Sequence, residues 1–546
     1  MKIEFLGAAK LVTGSNILVT TGKYKVLLDC GLFQGSEDLE ELNKEKFHFD
    51  PSDIDFLLLS HSHIDHSGRI PKLVKEGFRG KIYCTKATKD LCEIMLVDSA
   101  HIQVSDTEWE NRKGKRSGKA PVEPLYTVED ALLSLRYFES VLYDQKVQIN
   151  EEISVRFRDA GHILGSSIVE LWIEENDDTV KIVFSGDLGM RNKPLIHDPE
   201  FIEEADYLIL ESTYGNRTHE NVEKRVEKLV DVINKTVLRG GTVLIPSFAV
   251  GRTQELIYEL KQYYENNKEL EQFMRVPIYI DSPMAISATQ IFKRNSYAFN
   301  DTAKELILSG DNPLDFENLY FVRDYKESMA LNNSDFPKVI ISASGMCTAG
   351  RIRHHLKHNL WKAKNSVVFV GYQAVGTLGR ILKDGATSVK ILGENIAVLA
   401  EIHSIEGFSG HIDQPGILDW LQGFKKKPKK IFLVHGEEDS LSTLSELINE
   451  RYNIPTVIPN MGYTFEIEKD VLKAHSGELL EPIQRKENIK KELQEVYDQF
   501  ENLSSQTNKL IDDALLERNY DALKNKLIDL QQELLDLGMI LSNKKK

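Results

Sequence analysis

The hexapeptide His61-Ser-His-Ile-Asp-His66 constrains this chain more than any other stretch. It sets three imidazoles and one carboxylate, Asp65, within six residues. It follows an apolar run from Ile54 to Ser60, short enough to be a buried strand. A strand that stops in His-x-His-x-Asp-His projects donors from its end and from the following turn. Such a turn can hand His61 and His63 to one metal ion and Asp65 and His66 to a second ion beside it. Imidazole plus carboxylate is a donor set that suits zinc. Surface or capping histidines have no reason to recur at this spacing with an acid between them.

The remaining composition sets bounds. At 546 residues the chain exceeds one compact core, so two or three domains are expected. Hydrophobic residues at 41% argue against a largely disordered chain. No apolar run reaches about 18 residues, so no transmembrane helix is expected. The opening Met-Lys-Ile-Glu-Phe-Leu-Gly reads as a strand, not as a secretory signal. Cys30, Cys84, Cys92 and Cys347 form no C-x-x-C pair and read as reduced, buried thiols of a cytoplasmic protein. The net charge of −16 has the wrong sign for a surface that attracts nucleic acid everywhere. A nucleic-acid path on this chain must be locally basic, with bound cations supplying part of the positive charge.

Up to about residue 212, short β-branched runs alternate with turns and often end in a polar residue, the habit of layered α/β proteins. Within this segment Asp106 to Val122, with the basic run Arg112 to Lys119, is expected to be a solvated loop or a flap that touches phosphate. From about residue 216 longer helices alternate with strands, which predicts a mainly parallel sheet with helices on both faces. Strands and chemistry-bearing residues resume after about residue 390. From Ile489 onward apolar residues fall at heptad steps, predicting a helical hairpin or coiled coil over 484–546. It is read as an oligomerisation or docking element, the alternative being packing on its own chain.

Further donors follow at strand ends. They are His162 in Ala160-Gly-His162, Asp187 in Ser185-Gly-Asp187-Leu-Gly, His435 in Leu433-Val-His435-Gly-Glu, and Asp29 in Val26-Leu-Leu-Asp29-Cys-Gly. His61, His63, Asp65 and His66, followed in order by His162, Asp187 and His435, resemble the five-motif signature of the metallo-β-lactamase fold. The resemblance implies an αββα sandwich and two Zn²⁺ ions, Mn²⁺ being possible, with Asp187 bridging them. It assigns His61, His63 and His162 to one ion, and Asp65, His66 and His435 to the other. Asp29 would support the site without ligating, and His403 is placed with it as a supporting residue. A water-derived hydroxide bridging the ions would be the nucleophile.

That fold serves many hydrolases, so the substrate must come from elsewhere. Between Asp187 and His435 lies a long insertion with Leu210-Glu211-Ser-Thr-Tyr-Gly, Pro246-Ser-Phe-Ala-Val-Gly-Arg252-Thr-Gln-Glu, Asp281-Ser-Pro-Met-Ala, Ser342-Ala-Ser344-Gly-Met-Cys-Thr-Ala-Gly-Arg351 and Gly407-Phe-Ser-Gly-His411. These resemble the β-CASP subfamily of nucleic-acid nucleases. The resemblance divides the chain into a first lactamase segment over 1–215, a β-CASP domain over 216–400 and a second lactamase segment over 401–475. Glu211, His411 and His435 match motifs A, B and C. A histidine in motif C accompanies RNA-cleaving members, so RNA is the implied partner, with internal cleavage favoured over cleavage from an end and no membrane involved. Gly410 departs from the alanine that many relatives carry.

The chemistry gives these residues roles. A phosphodiester leaving as an alkoxide needs a proton, which His411 could donate if Glu211 orients it. Asp65, Glu211 and His411 are thus the groups placed in catalysis. Ser344 and Arg351, with Gly376 and Thr377 in Gly371-Tyr-Gln-Ala-Val-Gly-Thr-Leu-Gly-Arg380, are candidates for gripping phosphates, because small residues at a helix start expose N–H groups. Arg353, His354, His355 and Lys357 would extend a basic track. The rival readings are a small-molecule metallohydrolase of thioesterase or lactonase type, which would lack the insertion, and a non-catalytic scaffold, which would have lost ligands. Truncation after about Glu481 is expected to leave hydrolysis intact and to change only assembly, read by light scattering. A truncated chain that assembles normally contradicts the oligomerisation reading.

Overall fold

The computed structural model describes residues 1–474 except 117, 119, 176–177, 220–223, 268–275 and 375, and beyond them Ile489 alone. The heptad helices expected over 484–546 lie outside the described residues.

Two sheets face each other in the lactamase segment. The first has eight strands, beginning with Lys2–Phe5, Ile17–Thr20 and Lys25–Leu28 and continuing in parallel through Phe56–Leu58, Lys81–Thr85 and Phe138–Val141. Its other edge holds Tyr463–Glu466 and Val471–Ala474, so the chain returns to complete it. The second has seven strands, among them Ile153–Asp159, Ser167–Glu175, Asp178–Phe184, Tyr207–Glu211 and Lys430–Val434. Alternation along each strand sends one set of side chains to the partner sheet and the other to the helices. Phe5 and Phe465 of the first sheet meet Phe432 of the second at centroid distances of 5.2 and 4.8 Å. On the outer face Leu208 and Leu210 pack against Trp420, Leu421 and Leu444 of the covering helices. Leu57, Ile82, Leu73 and Leu96 do the same outside the first sheet. The result is the αββα sandwich that the sequence implied.

The inserted domain carries a six-stranded sheet whose pairings are all parallel, in the order Leu319–Phe321, Ile278–Ile280, Lys338–Ser342, Thr242–Pro246, Ser366–Phe369 and Glu401–Ser404. Helices cover both faces, with Leu229, Ile233 and Leu256 on one side and Ile352 and Leu356 on the other. Glu401–Ser404 is thus the edge strand of the β-CASP sheet.

A correction concerns Asp106 to Val122. Most of it is not a loop but the end of a 31-residue helix, Lys86–Arg116. The buried face of that helix, Leu91, Met95 and Leu96, stops near Ala100, and its distal half is mostly polar, with Ile102 and Trp109 exposed. Asn111 fastens that half to the returning chain through paired bonds to Val122 N and O, both 2.8 Å. The four cysteines are buried free thiols, as expected. No helix among the described residues is long and apolar enough to cross a membrane.

Close backbone approach holds the histidine-rich turn. Cys30 N bonds His66 O at 2.8 Å, Leu32 N bonds Ile64 O at 2.9 Å, and Ser15 N bonds Asp65 O at 2.8 Å. A Cβ on Gly31 would fall 1.6 Å from Asp65 O, so only glycine lets these segments meet. Gly31→Ala is expected to destabilise the protein by about 1–3 kcal/mol through overpacking, lowering its thermal midpoint. A wild-type melting curve for the variant contradicts this packing.

Candidate metal centre

Parallel strands bring the donors together. In the first sheet Leu28 pairs with Leu58, so Asp29 and the His61 turn leave at one edge. In the second, Phe184 pairs with Ile209 and Glu211 with Val434, so Asp187, Glu211 and His435 emerge side by side. Functional groups at the carboxyl ends of neighbouring parallel strands are a rule of α/β sheets. His162 follows the strand Ile153–Asp159, and an isolated antiparallel bridge between Gly189 and His411 carries His411 to the same place. Asp29 (φ 56°) and His435 (φ 52°) are left-handed non-glycine residues. Each costs roughly 1–3 kcal/mol and persists only where its surroundings fix it. Ser60 fixes Asp29 through N and Oγ bonds of 2.8 and 2.9 Å. Thr213 Oγ1 lies 3.0 Å from His435 Nδ1.

Two donor clusters result. His61 Nε2 and His162 Nε2 lie 3.1 and 3.2 Å from His63 Nδ1, and 3.5 and 3.6 Å from Asp187 Oδ2. His66 Nε2 lies 3.3 Å from both His435 Nε2 and Asp187 Oδ1, and Asp65 Oδ2 lies 3.8 and 3.6 Å from those two histidines. Four ligands held about 2.0–2.1 Å from one tetrahedral ion stand about 3.3 Å apart, so these spacings suit a shared cation. Hydrogen bonding explains them poorly, since ring nitrogens here face ring nitrogens. Asp187 Oδ1 is buried with no hydrogen-bond partner although His66 is close. The donor set fits a divalent cation on each side of Asp187.

Electrostatics agrees. Burial pushes the pKa of His61 and His162 well down and that of His63 to about 4, leaving neutral rings able to ligate. Burial opposes charge on Asp187, but His435, His66, His411 and His61 outweigh it and hold the carboxylate well below its usual range. Burial likewise opposes a charged His66, and Asp187, Asp65 and Asp29 override it upward. His66 Nδ1 is 2.7 Å from Asp29 Oδ2, so Asp29 orients the ring from behind.

His411 stands at the edge of the clusters. Its Nδ1 is 3.3 Å from Glu211 Oε1 and 3.8 Å from Asp187 Oδ2. Glu211 is itself pinned, accepting from Leu188 N at 2.8 Å and Thr213 N at 3.2 Å. Burial lowers the His411 pKa, but Glu211 and Asp187 more than reverse it, so the ring favours its cationic form. Its position also lets it ligate beside Asp187 and His435.

Several expected residues do other work. His403 sits on the β-CASP edge strand, 3.2 Å from Glu401 Oε2, and takes no part in the clusters. Arg351 commits its fork to Asp281 Oδ1 at 2.6 Å and to the carbonyls of Val322 and Arg323. Thr377 caps a short helix, bonding Arg380 N and Ala374 O. Gly376 is exposed at a turn beside Gly35 and Ser36. The basic track dissolves, because His355 is buried against Asp281 at 2.7 Å and Lys357 pairs with Glu394. Ser344 and Arg353 do line the cavity of about 1080 Å³ that opens from the metal cluster toward the β-CASP domain.

Other residues at the cavity had been given no role from the sequence. Phe248 stands 6.0 Å from the His63 ring, centroid to centroid. Tyr372 hydroxyl bonds Glu437, tying the two domains. Lys193, Arg252 and Glu255 form a buried ionic group in its wall. Thr213 had one signal, its place two residues after Glu211.

The matches to known families follow this layout. Residues 10–241 match the metallo-β-lactamase superfamily, 253–382 the Beta-Casp domain and 395–459 the Zn-dependent metallo-hydrolase RNA specificity domain. Ribonuclease TTHA0252 of Thermus thermophilus is 40% identical over 82% of this chain and 96% of its own length. The chain belongs to the β-CASP ribonuclease family. Other relatives in that family are transcription termination factors FttA of Methanocaldococcus jannaschii, at 32% identity, and of Thermococcus kodakarensis, at 33%, each aligned over 84% of this chain and 70% of the relative. Membership makes this chain a metal-dependent hydrolase. Asp29→Asn removes the charge that orients His66 and is expected to weaken cation binding about 10–100-fold with the fold retained, measured by calorimetric titration and circular dichroism. Unchanged affinity contradicts the role of Asp29.

Proposed function

We propose that this β-CASP protein hydrolyses RNA phosphodiesters with two divalent cations, zinc being the ion its donors suit. The observation that carries the proposal is the pair of donor clusters sharing Asp187, with the Glu211–His411 couple at their edge. The relatives' names, ribonuclease and transcription termination factor, support RNA as the substrate. His61, His63 and His162 would hold one ion, Asp65, His66 and His435 the other, and Asp187 both. When bound, such ions supply positive charge to phosphoryl oxygens and lower the pKa of water.

The chain's own groups do the rest. His411, kept cationic by Glu211, gives its proton to the departing O3′. Glu211 cannot swing away, because backbone N–H groups hold both its oxygens. Thr213 and Asp29 keep the rings of His435 and His66 facing the cluster. With water as nucleophile in place of the ribose 2′-hydroxyl, products carry 5′-phosphate and 3′-hydroxyl ends. Internal cleavage is the favoured mode. The four buried free thiols suit a reducing cytoplasm, and self-association through the heptads of 484–546 belongs to the same proposal.

Two variants test it. His435→Ala is expected to lower bound zinc from about two ions per chain toward one. His411→Ala is expected to keep its metal and lose at least about 10²-fold in RNA turnover. Unchanged metal in the first, or near-normal turnover in the second, contradicts the assigned roles.

A further inference from the structure

A chain of net charge −16 that handles a polyanion needs a positive wall close to its chemistry. The cavity is lined by charges of both signs. The helix Lys86–Arg116 presents Asp98, Asp106 and Glu110. The lining also includes Lys193 and Arg252, buried to 5% and 8% exposure. Arg252 opens the helix Arg252–Asn266, and its Nη1 bonds Glu255 Oε2 in the next turn. Glu255 Oε1 also receives Lys193 Nζ at 3.0 Å, and Lys193 Nζ donates to the carbonyl of His162 at 3.0 Å. Burial works against charge on Glu255, but Arg252 and Lys193 hold its pKa below the usual range. Two cations therefore share one carboxylate, and the wall keeps one excess positive charge.

The geometry aims that charge. Nη1 is the guanidinium nitrogen of Arg252 that bonds a described residue. Nη2 lies beside Gly410, where a Cβ would stand 3.4 Å from Nη2 and 3.0 Å from His162 Cε1. The space left by Gly410 therefore adjoins both the guanidinium and a ring of the first donor cluster. A buried, pre-aimed guanidinium matches phosphate oxygens better than a mobile surface lysine does. Arg351 turns toward Asp281 and two carbonyls and does not line this cavity.

We propose that Arg252, braced by Glu255 and Lys193, binds a non-bridging oxygen of the RNA phosphate next to the one held at the cation cluster. The inference rests on the reading of this site as an RNA hydrolase. It lays the strand along the Lys193–Arg252 wall and away from the acidic face of the long helix.

The test compares two substrates on the full-length, metal-loaded protein: a labelled RNA oligonucleotide and bis(p-nitrophenyl) phosphate, which has a single phosphate. Arg252→Ala is expected to raise KM for RNA roughly 10–100-fold. The slope of log KM against log salt should shrink by about one phosphate contact. The loss on the single-phosphate diester should be at least about tenfold smaller, because it has no neighbouring phosphate to lose. Arg252→Lys should recover part of the RNA effect, and bound metal should not change. If the alanine variant does not fold, Arg252→Gln, which can still bond Glu255, carries the same comparison. Equal losses on both substrates, an unchanged salt slope, or lost metal would overturn the inference alone. Wild-type protein that turns over the diester but not RNA would overturn the RNA reading, and this inference with it.

Discussion

One carboxylate, Asp187, lies buried where the two sheets and the inserted domain converge, with His61 and His162 at one oxygen and His66 and His435 at the other. A charge so placed is costly unless cationic partners surround it. The imidazoles meet that need only in part, since burial keeps His61 and His162 neutral. A cation on each side, as proposed, would satisfy the carboxylate and separate the crowded ring nitrogens. Much of the surrounding architecture serves this arrangement. Strands run parallel so that their ends coincide, Gly31 is bare so that Asp65 can approach, and Asp29 and His435 accept left-handed backbones.

The inserted domain turns a general hydrolytic centre into a confined one. It brings Phe248, Arg252, Ser344 and Tyr372 to the cavity wall, and the chain returning from it delivers His411. Tyr372 and Glu437 tie the domains together across that wall. His411, the proposed acid, comes just after the edge strand Glu401–Ser404 of the inserted sheet and is held by Glu211 and Gly189 of the lactamase segment.

The legible part of the sequence was the part whose chemistry is local. His61 to His66 fills six consecutive positions, and His162, Asp187 and His435 each end a short apolar run, so strand ends and donors could be read together. The parallel sheet of the insertion was legible for the same reason. For Arg351 and Thr377 the motif showed which groups exist and not which partners they have within the chain. Asp281, seventy positions before Arg351, captures it, and a helix start captures Thr377. The long helix was hidden because its distal half buries no apolar stripe, leaving the same polar composition a loop would have. Arg252 and Glu255 lie three apart on one helix, but Lys193 joins them only through tertiary packing, which no spacing announces.

The central claim is that Asp187 lies between two cations. Anomalous diffraction at the zinc edge from crystals of the zinc-loaded protein tests it most directly. The account predicts two peaks about 3.5–4 Å apart, one among His61, His63 and His162 and the other among Asp65, His66 and His435, with Asp187 reaching both. A single peak, or two that Asp187 does not bridge, would contradict it.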